Sequence, residues 1–166
     1  MTRLVEGHEL GTVASLIAYE RHVVVLTGAG VRAASGLPTY RGADGIYENA
    51  DIADLHHASR LPDSLPALWG SGGRGGMLRP DVVLFGERLD VEAEWETKRA
   101  VRDADVLLAF GTSVQVSTAA YYARYAADVG AVLVTVDPAP LVPEIYQLHV
   151  RMHAELALPL LLAATC

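Results

Sequence analysis

The sequence predicts an α/β fold: a Rossmann-like parallel sheet of about five to six strands, with helices on both faces, in one domain. Short runs of β-branched and aliphatic residues alternate with helical patterns, as expected for parallel strands joined by crossover helices. These runs are apolar throughout, which is typical of strands covered on both faces. The chain has 166 residues, enough for a single hydrophobic core.

The predicted elements follow in order along the chain. The first helix is expected over Leu10–Tyr19. Strands are predicted for four apolar runs: HVVVLT (22–27), DVVLF (81–85), DVLLAF (105–110) and AVLVTV (131–136). Further helices are predicted over 91–104, 118–130 and about 153–164, the second closed by Gly130 at its C-terminus. Between Tyr47 and Met77 no strand is predicted, and GSGGRGG (70–76) has the composition of a connecting linker.

Composition narrows the classes of partner. The net charge of −7 is unsuited to phosphate backbones or anionic membranes, so neither nucleic acid nor a membrane is an expected partner. The single cysteine, Cys166, cannot form a disulfide framework or a thiolate zinc site, and no metal site is predicted. The apolar stretch ALPLLLAAT is too short to span a bilayer and contains Pro159. We therefore expect a cytoplasmic protein.

The turn after the first strand reads G-A-G-V-R-A, which fits the dinucleotide-binding pattern G-x-G-x-x-G/A. Gly28 would allow a tight turn, and Gly30 would let the backbone approach a pyrophosphate at the start of a helix. The alternative is a purely steric role for these glycines. An ordinary dehydrogenase would also need an acidic residue at the end of a second strand. Glu48 and Asp51 lie near that distance, but their surroundings do not resemble a strand.

The longer run VVVLTGAGVRAASGLPTYRG (23–42) resembles the first NAD-binding motif of the sirtuins, the NAD-dependent protein deacylases. Three downstream segments also resemble sirtuin motifs: LRPDVVLFGERL (78–89), ADVLLAFGTSVQVSTAA (104–120) and AVLVTVDPAP (131–140). The stretch TYRGADGIYEN is most similar to the bacterial branch. The resemblance implies that NAD or ADP-ribose is bound, and that an acylated peptide lies at the Val83–Glu87 segment.

The resemblance also implies residue roles. Arg41 would contact phosphate or ribose oxygens, unless it is a surface arginine, and Tyr40 would shield the reacting ribose carbon. Asp137 would accept hydrogen bonds from ribose hydroxyls. Thr112 and Ser113 would bind phosphate or ribose, the alternative being that they cap the next helix. The full cofactor-binding set is Gly28, Ala29, Gly30, Thr39, Tyr40, Arg41, Gly111, Thr112, Ser113 and Asp137. The first three would offer backbone amides to the phosphates.

The chain also departs from the sirtuin pattern. Arg32 and Thr118 replace a serine and a proline. No Gln-Asn-x-Asp segment, His-Gly pair or four-cysteine zinc module is present, so no catalytic residue is assigned. His56 and His57 lie near this gap and are interpreted as a surface pair. The sequence therefore predicts NAD binding, with deacylation in doubt. The alternatives are slow NAD hydrolysis and a non-catalytic nucleotide-sensing module, and the sheet face left by the missing module would favour a homodimer.

Overall fold

The computed structural model describes residues 8–36, 39, 45, 57–60, 83–84, 86–114, 117–140 and 143–165. Tertiary contacts divide the chain into two compact units, one of residues 1–37 with 95–166 and one of residues 38–94. The first unit contains the sheet described below. Of the second unit, the structure describes isolated positions, two short turns and the start of a helix.

The described helices and strands alternate as expected. The α-helices are α1 (His8–Tyr19), α2 (Val91–Arg102), α3 (Ser117–Asp128) and α4 (Ala154–Thr165). The strands are β1 (Val23–Thr27), β2 (Val106–Phe110), β3 (Val132–Val136) and β4 (Leu148–Val150). Short 3₁₀ helices cover Ala29–Ser35, Ala58–Arg60 and Pro143–Ile145. Among the described residues, no helix has the length and apolar character needed to cross a membrane.

The four strands form one parallel sheet in the order β1-β2-β3-β4. The predicted fold class is confirmed, but the described part of the chain has four strands rather than five or six. The strand predicted over 81–85 is not observed at Val83 and Leu84, where the backbone is irregular, and residues 81, 82 and 85 lie outside the described set. Strand β4 was not predicted, because a three-residue segment with a central histidine carries almost no pattern.

The core lies on both faces of this sheet because side chains alternate along each strand. On one face, α1 and α4 cover alternate residues of three strands, namely Val106, Leu108, Phe110, Val134, Val136 and Val150. On the other face lie the buried residues Leu107, Ala109, Leu133, Thr135 and His149, and α3 contacts β2 and β3. Helices on both faces agree with the prediction.

Local capping explains the helix boundaries. Asp90 caps the N-terminus of α2, since its Oδ1 accepts the N–H groups of Glu92 and Ala93 at 3.0 Å. Gly130, with φ of 91°, closes α3 as expected. Its N–H donates to the Ala127 carbonyl, and Ala131 donates to Ala126, which is the Schellman arrangement. This cap ends α3 at Asp128, two residues before the predicted limit.

Candidate functional site

The carboxyl ends of three strands lie side by side at one edge of the sheet. In the strand register, Thr27 pairs with Phe110, which pairs with Val136. The pairing continues one residue further, since Gly28 N–H donates to the Phe110 carbonyl and Gly111 N–H to the Val136 carbonyl, each at 3.0 Å. The predicted site segments therefore come together. Gly28–Gly30, Gly111–Ser113 and Asp137 all begin directly beyond this edge, where open α/β sheets bind ligands.

The turns after β1 and β2 touch backbone to backbone. A Cβ atom at Gly28 would lie 2.5 Å from the Gly111 carbonyl oxygen, and one at Gly30 would lie 2.7 Å from the same oxygen. Gly111 also has φ of 52°, a conformation that favours glycine. No larger residue fits at any of the three positions without separating the two turns.

The N–H groups of Gly28, Ala29 and Gly30 differ in whether they have an acceptor among the described residues. Gly28 N–H donates to Phe110, and Gly30 N–H donates to the Gly111 carbonyl at 2.9 Å. Both amides therefore have backbone acceptors in this structure, and their predicted role as phosphate donors stays a prediction. Among the described residues, the N–H of Ala29 has no acceptor. The next element is a 3₁₀ helix of seven residues rather than a long α-helix, so no long helix dipole begins at this turn.

The loop Gly111–Val114 contains the two predicted hydroxyl residues. Thr112 and Ser113 are half-buried, and the Thr112 Oγ1 atom accepts the Val114 N–H at 3.3 Å. This bond lies within the loop, whereas α3 begins only at Ser117. Helix capping therefore does not account for Thr112. Val114 has φ of 51° although it is a β-branched residue, and it is 4% exposed.

Asp137 follows β3 and is half-buried. Its Oδ1 accepts the Ala139 N–H at 2.8 Å, and among the described residues the other carboxylate oxygen has no donor. Burial, and secondarily the negative charge of Asp137, raises the pKa of Tyr146 to about 12. A carboxylate oxygen held at this edge can accept hydrogen bonds from a diol such as a ribose.

Several predicted site residues belong to the second unit or to undescribed positions. Thr39 is half-buried in the second unit. Tyr40, Arg41 and His56 lie outside the described residues, as does the linker 70–76. Within the described ranges, no group of three or more His, Cys, Asp or Glu side chains is arranged to hold a metal ion.

The predicted peptide segment Val83–Glu87 contains a tight turn. Glu87 N–H donates to the Leu84 carbonyl at 3.1 Å, and the Glu87 Oε2 accepts the Leu84 N–H at 2.8 Å. Gly86 has φ of 85°, a conformation that favours glycine. Val83, which is 53% exposed, precedes this turn.

His57 packs on this turn, a contact that the sequence did not predict. A Cβ atom at Gly86 would lie 2.5 Å from the His57 Cε1, so the edge of the imidazole rests on the glycine. The His57 Nδ1 accepts the Ser59 N–H at 3.2 Å and lies 2.8 Å from the Ser59 Oγ. His57 is exposed, as expected for a surface histidine, but one ring edge supports the turn.

Comparison with known proteins agrees with this geometry. The sequence profile described as "Sir2 family" matches residues 71–118. An NAD-dependent protein deacylase of Thermus thermophilus is 30% identical, with 72% of this chain and 80% of the relative covered. The chain belongs to the Sir2 family, the sirtuins. A sirtuin of Haloarcula marismortui, named NAD-dependent protein deacetylase, is 28% identical, with 80% of this chain and 85% of the relative covered.

Solved Sir2 structures share the fold. One, described as "Structural Basis for the Mechanism and Regulation of Sir2 Enzymes", has a TM-score of 0.81 at 20% identity and covers 95% of this chain and 98% of its own. A Sir2 homologue in complex with NAD has a TM-score of 0.70 at 19% identity, covering 98% of this chain and 96% of its own. The alignment with the Haloarcula sirtuin extends over 221 positions, more than the 166 residues present here. That relative therefore contains segments with no counterpart in this chain.

Proposed function

We propose that this sirtuin binds NAD or ADP-ribose at the carboxyl edge of its sheet. The observation that carries the proposal is the in-register alignment of three strand ends, which brings Gly28–Gly30, Gly111–Ser113 and Asp137 to one edge. These segments come from distant parts of the chain, and each supplies a group suited to the phosphates or a ribose of a dinucleotide.

The available groups fit the cofactor. The Ala29 N–H and the Thr112 hydroxyl are donors for phosphate oxygens, and the open Asp137 carboxylate oxygen is an acceptor for ribose hydroxyls. The three glycines let the two turns approach each other closely, so that these donors lie at the same edge. By resemblance to the family, Thr39, Tyr40, Arg41 and Ser113 are also proposed to bind the cofactor. In the family reaction, NAD supplies the ribose whose bond to nicotinamide is broken.

The NAD-dependent deacylation of the family would require an acylated peptide, which we place at the Val83–Glu87 segment. We further propose that this chain deacylates poorly. It has one cysteine, no His-Gly pair and no Gln-Asn-x-Asp segment. The one histidine described near this gap, His57, has its Nδ1 occupied by Ser59 and a ring edge against Gly86. That arrangement supports a turn better than it supports proton transfer.

Calorimetry with NAD and with ADP-ribose tests the site. Ala29→Pro removes the proposed amide donor while suiting the first position of a helix, and Gly28 before it is already extended at φ −122° and ψ −175°. We expect this variant, Thr112→Val and Asp137→Asn each to weaken binding about five-fold or more, the effect of one lost hydrogen bond. Arg41→Ala should weaken it also.

The matched control is Thr135→Val. Thr135 is 1% exposed in β3, and its hydroxyl has no partner among the described residues, so its loss should leave the affinity unchanged. Absence of heat with either ligand at millimolar concentration would eliminate every nucleotide-binding proposal for this chain.

Turnover is measured separately, by following free nicotinamide with and without acylated peptides. We expect binding with little release under either condition. Release that needs peptide would identify a deacylase, and peptide-independent release would identify an NAD hydrolase. His56→Ala and His57→Ala should change little, and a loss of peptide-dependent release in either variant would assign it the missing base role.

Three further features remain proposals. We propose that the protein is bacterial, because TYRGADGIYEN is most similar to the bacterial branch of the sirtuins, and that it is cytoplasmic, because of its composition. We also propose that it forms a homodimer. Sedimentation velocity over a hundred-fold range of protein concentration tests the dimer directly. A single species at the monomer mass of 17.7 kDa throughout would contradict it.

A further inference from the structure

Val114 has a backbone conformation that its residue type disfavours. Its φ is 51°, and it is the one non-glycine residue with positive φ among those described. A β-branched side chain in the left-handed region crowds its own backbone, so such a residue is a true outlier. Strained residues of this kind persist only where the surroundings hold them, and they concentrate at ligand sites.

Burial of its side chain and one hydrogen bond hold Val114 in place. Its side chain is 4% exposed, so leaving the left-handed conformation would move an apolar group out of a packed position. Its N–H donates to the Thr112 Oγ1 at 3.3 Å. Gly111, three residues earlier, is left-handed as well, with φ of 52°. The chain therefore leaves β2 through two left-handed residues that enclose Thr112 and Ser113.

The bond between Val114 and Thr112 has a directional consequence. A hydroxyl group can accept through its oxygen while donating its single hydrogen elsewhere. Because the Thr112 oxygen already accepts the Val114 N–H, its hydrogen points away from that amide and is available to an incoming acceptor. The strained residue thus sets both the rotamer and the polarity of the hydroxyl.

We propose that Val114 is a positioning residue of the nucleotide site, whose left-handed backbone holds the Thr112 hydroxyl as a donor to a phosphate or ribose oxygen of the ligand. This inference rests on the proposed function, since it needs a nucleotide at the edge of the sheet. It adds a residue that makes no ligand contact and acts through its neighbour.

The strain itself is tested by comparing Val114→Gly with Val114→Ala in urea denaturation. At an ordinary strand position, glycine is less stable than alanine. Val134, 0% exposed in β3, is the matched control, and its glycine variant should unfold at a lower urea concentration than its alanine variant. At position 114 we expect the glycine variant to be at least as stable as the alanine variant. The same order at both positions would overturn the proposal.

The positioning role is tested by a double-mutant cycle with ADP-ribose calorimetry. Val114→Ala loses the buried side chain that holds the loop but keeps a Cβ atom that disfavours positive φ, so it should weaken binding about five-fold in the native background, the effect of one neutral hydrogen bond. In a Thr112→Val background it should have less than about a two-fold effect, because the hydroxyl it positions is absent. Thr112→Ser, which keeps the hydroxyl, should restore the five-fold sensitivity.

Equal losses in the Thr112→Val and native backgrounds would overturn the positioning role while leaving nucleotide binding intact. If the native chain binds no ADP-ribose, the proposed function fails together with the positioning role. The urea comparison then still reports whether Val114 is strained, so the two failures are distinguishable.

Discussion

The N–H of Gly30 donates to the carbonyl oxygen of Gly111 over 2.9 Å, which joins the turns that follow β1 and β2 directly through their backbones. A Cβ atom on Gly111 would lie 2.7 Å from the Gly30 carbonyl carbon and from the Val31 nitrogen. Both neighbours are backbone atoms, so neither can rotate away. The close approach that brings the site segments together therefore depends on having no side chain at Gly111.

We expect Gly111→Ala to destabilise the fold by about 3 kcal/mol, from overpacking together with the strain of a positive φ. Gly36→Ala is the matched control. Gly36 also has positive φ, 75°, but nothing lies within 4 Å of its Cβ position, so only the strain of about 1 kcal/mol should appear. Urea denaturation measures both, and equal costs would show that the turns separate easily.

Gly11→Ala should stabilise the protein. Gly11 is exposed within α1, its φ is not positive, and no atom lies within 4 Å of its Cβ position. Alanine in an exposed helix interior should therefore raise the free energy of unfolding by about 0.5 to 1 kcal/mol. Thermal unfolding measures the change. A lower melting temperature would mean that α1 does not continue through this position.

Gly86→Ala should be partly rescued by His57→Ala. The new methyl group strains a backbone at φ of 85° and meets the His57 ring, which must then leave its hydrogen bonds to Ser59. We expect the single variant to cost about 1 to 2 kcal/mol, with a coupling of about 0.5 to 1 kcal/mol in the double-mutant cycle. If the two destabilisations simply add, the His57 ring and the methyl group at position 86 do not interact, which would contradict this prediction.

Alkaline pH should destabilise the fold through Tyr146. Its pKa of about 12, raised by burial and then by Asp137, exceeds the value of about 10 expected in the unfolded chain. Below pH 10 the phenol is neutral in both states, and the contribution of Tyr146 to the free energy of unfolding does not change with pH. Between about pH 10 and 12 only the unfolded state loses this proton, so stability falls as pH rises, by up to about 2 to 3 kcal/mol.

Tyr146→Phe isolates this effect from the other tyrosines. The phenol oxygen is buried and has no hydrogen-bond partner among the described residues, so its removal should leave stability near neutral pH unchanged or slightly raised. Urea denaturation at several pH values should show the native chain falling relative to the variant above pH 10. Parallel curves would contradict the raised pKa.

The strength of the local pattern decided which elements could be predicted. The first three strands of the sheet were placed within one residue, because five-residue runs of aliphatic side chains are unambiguous. Strand β4 was missed because it has three residues and contains His149, which is 2% exposed although its residue type suggests a surface position. A buried polar residue in a short strand has no sequence pattern that distinguishes it from a loop.

The residue types of the candidate site could be predicted from the sequence, but their roles could not all be. The sequence predicts that Gly28 and Gly30 offer amides to phosphate, and the structure shows that both amides have backbone acceptors, whereas the Ala29 N–H has none among the described residues. Hydrogen-bond partners from β2 decide this outcome, and they are remote in the sequence. Nothing in the sequence indicates the positive φ of Val114, because valine ordinarily avoids that conformation.

The sequence by itself determined the parallel α/β class, the order of the motifs and their resemblance to sirtuins, because apolar periodicity and glycine spacing are local properties. Only the tertiary structure decided which segments meet at the carboxyl edge of the sheet and which of their polar groups already have partners. Strand register aligned Gly28, Gly111 and Asp137. Hydrogen bonds to Phe110 and Gly111 then engaged the N–H groups of Gly28 and Gly30. Burial then held Val114 in a conformation that its own side chain opposes, since packing can outweigh the preference of a single residue.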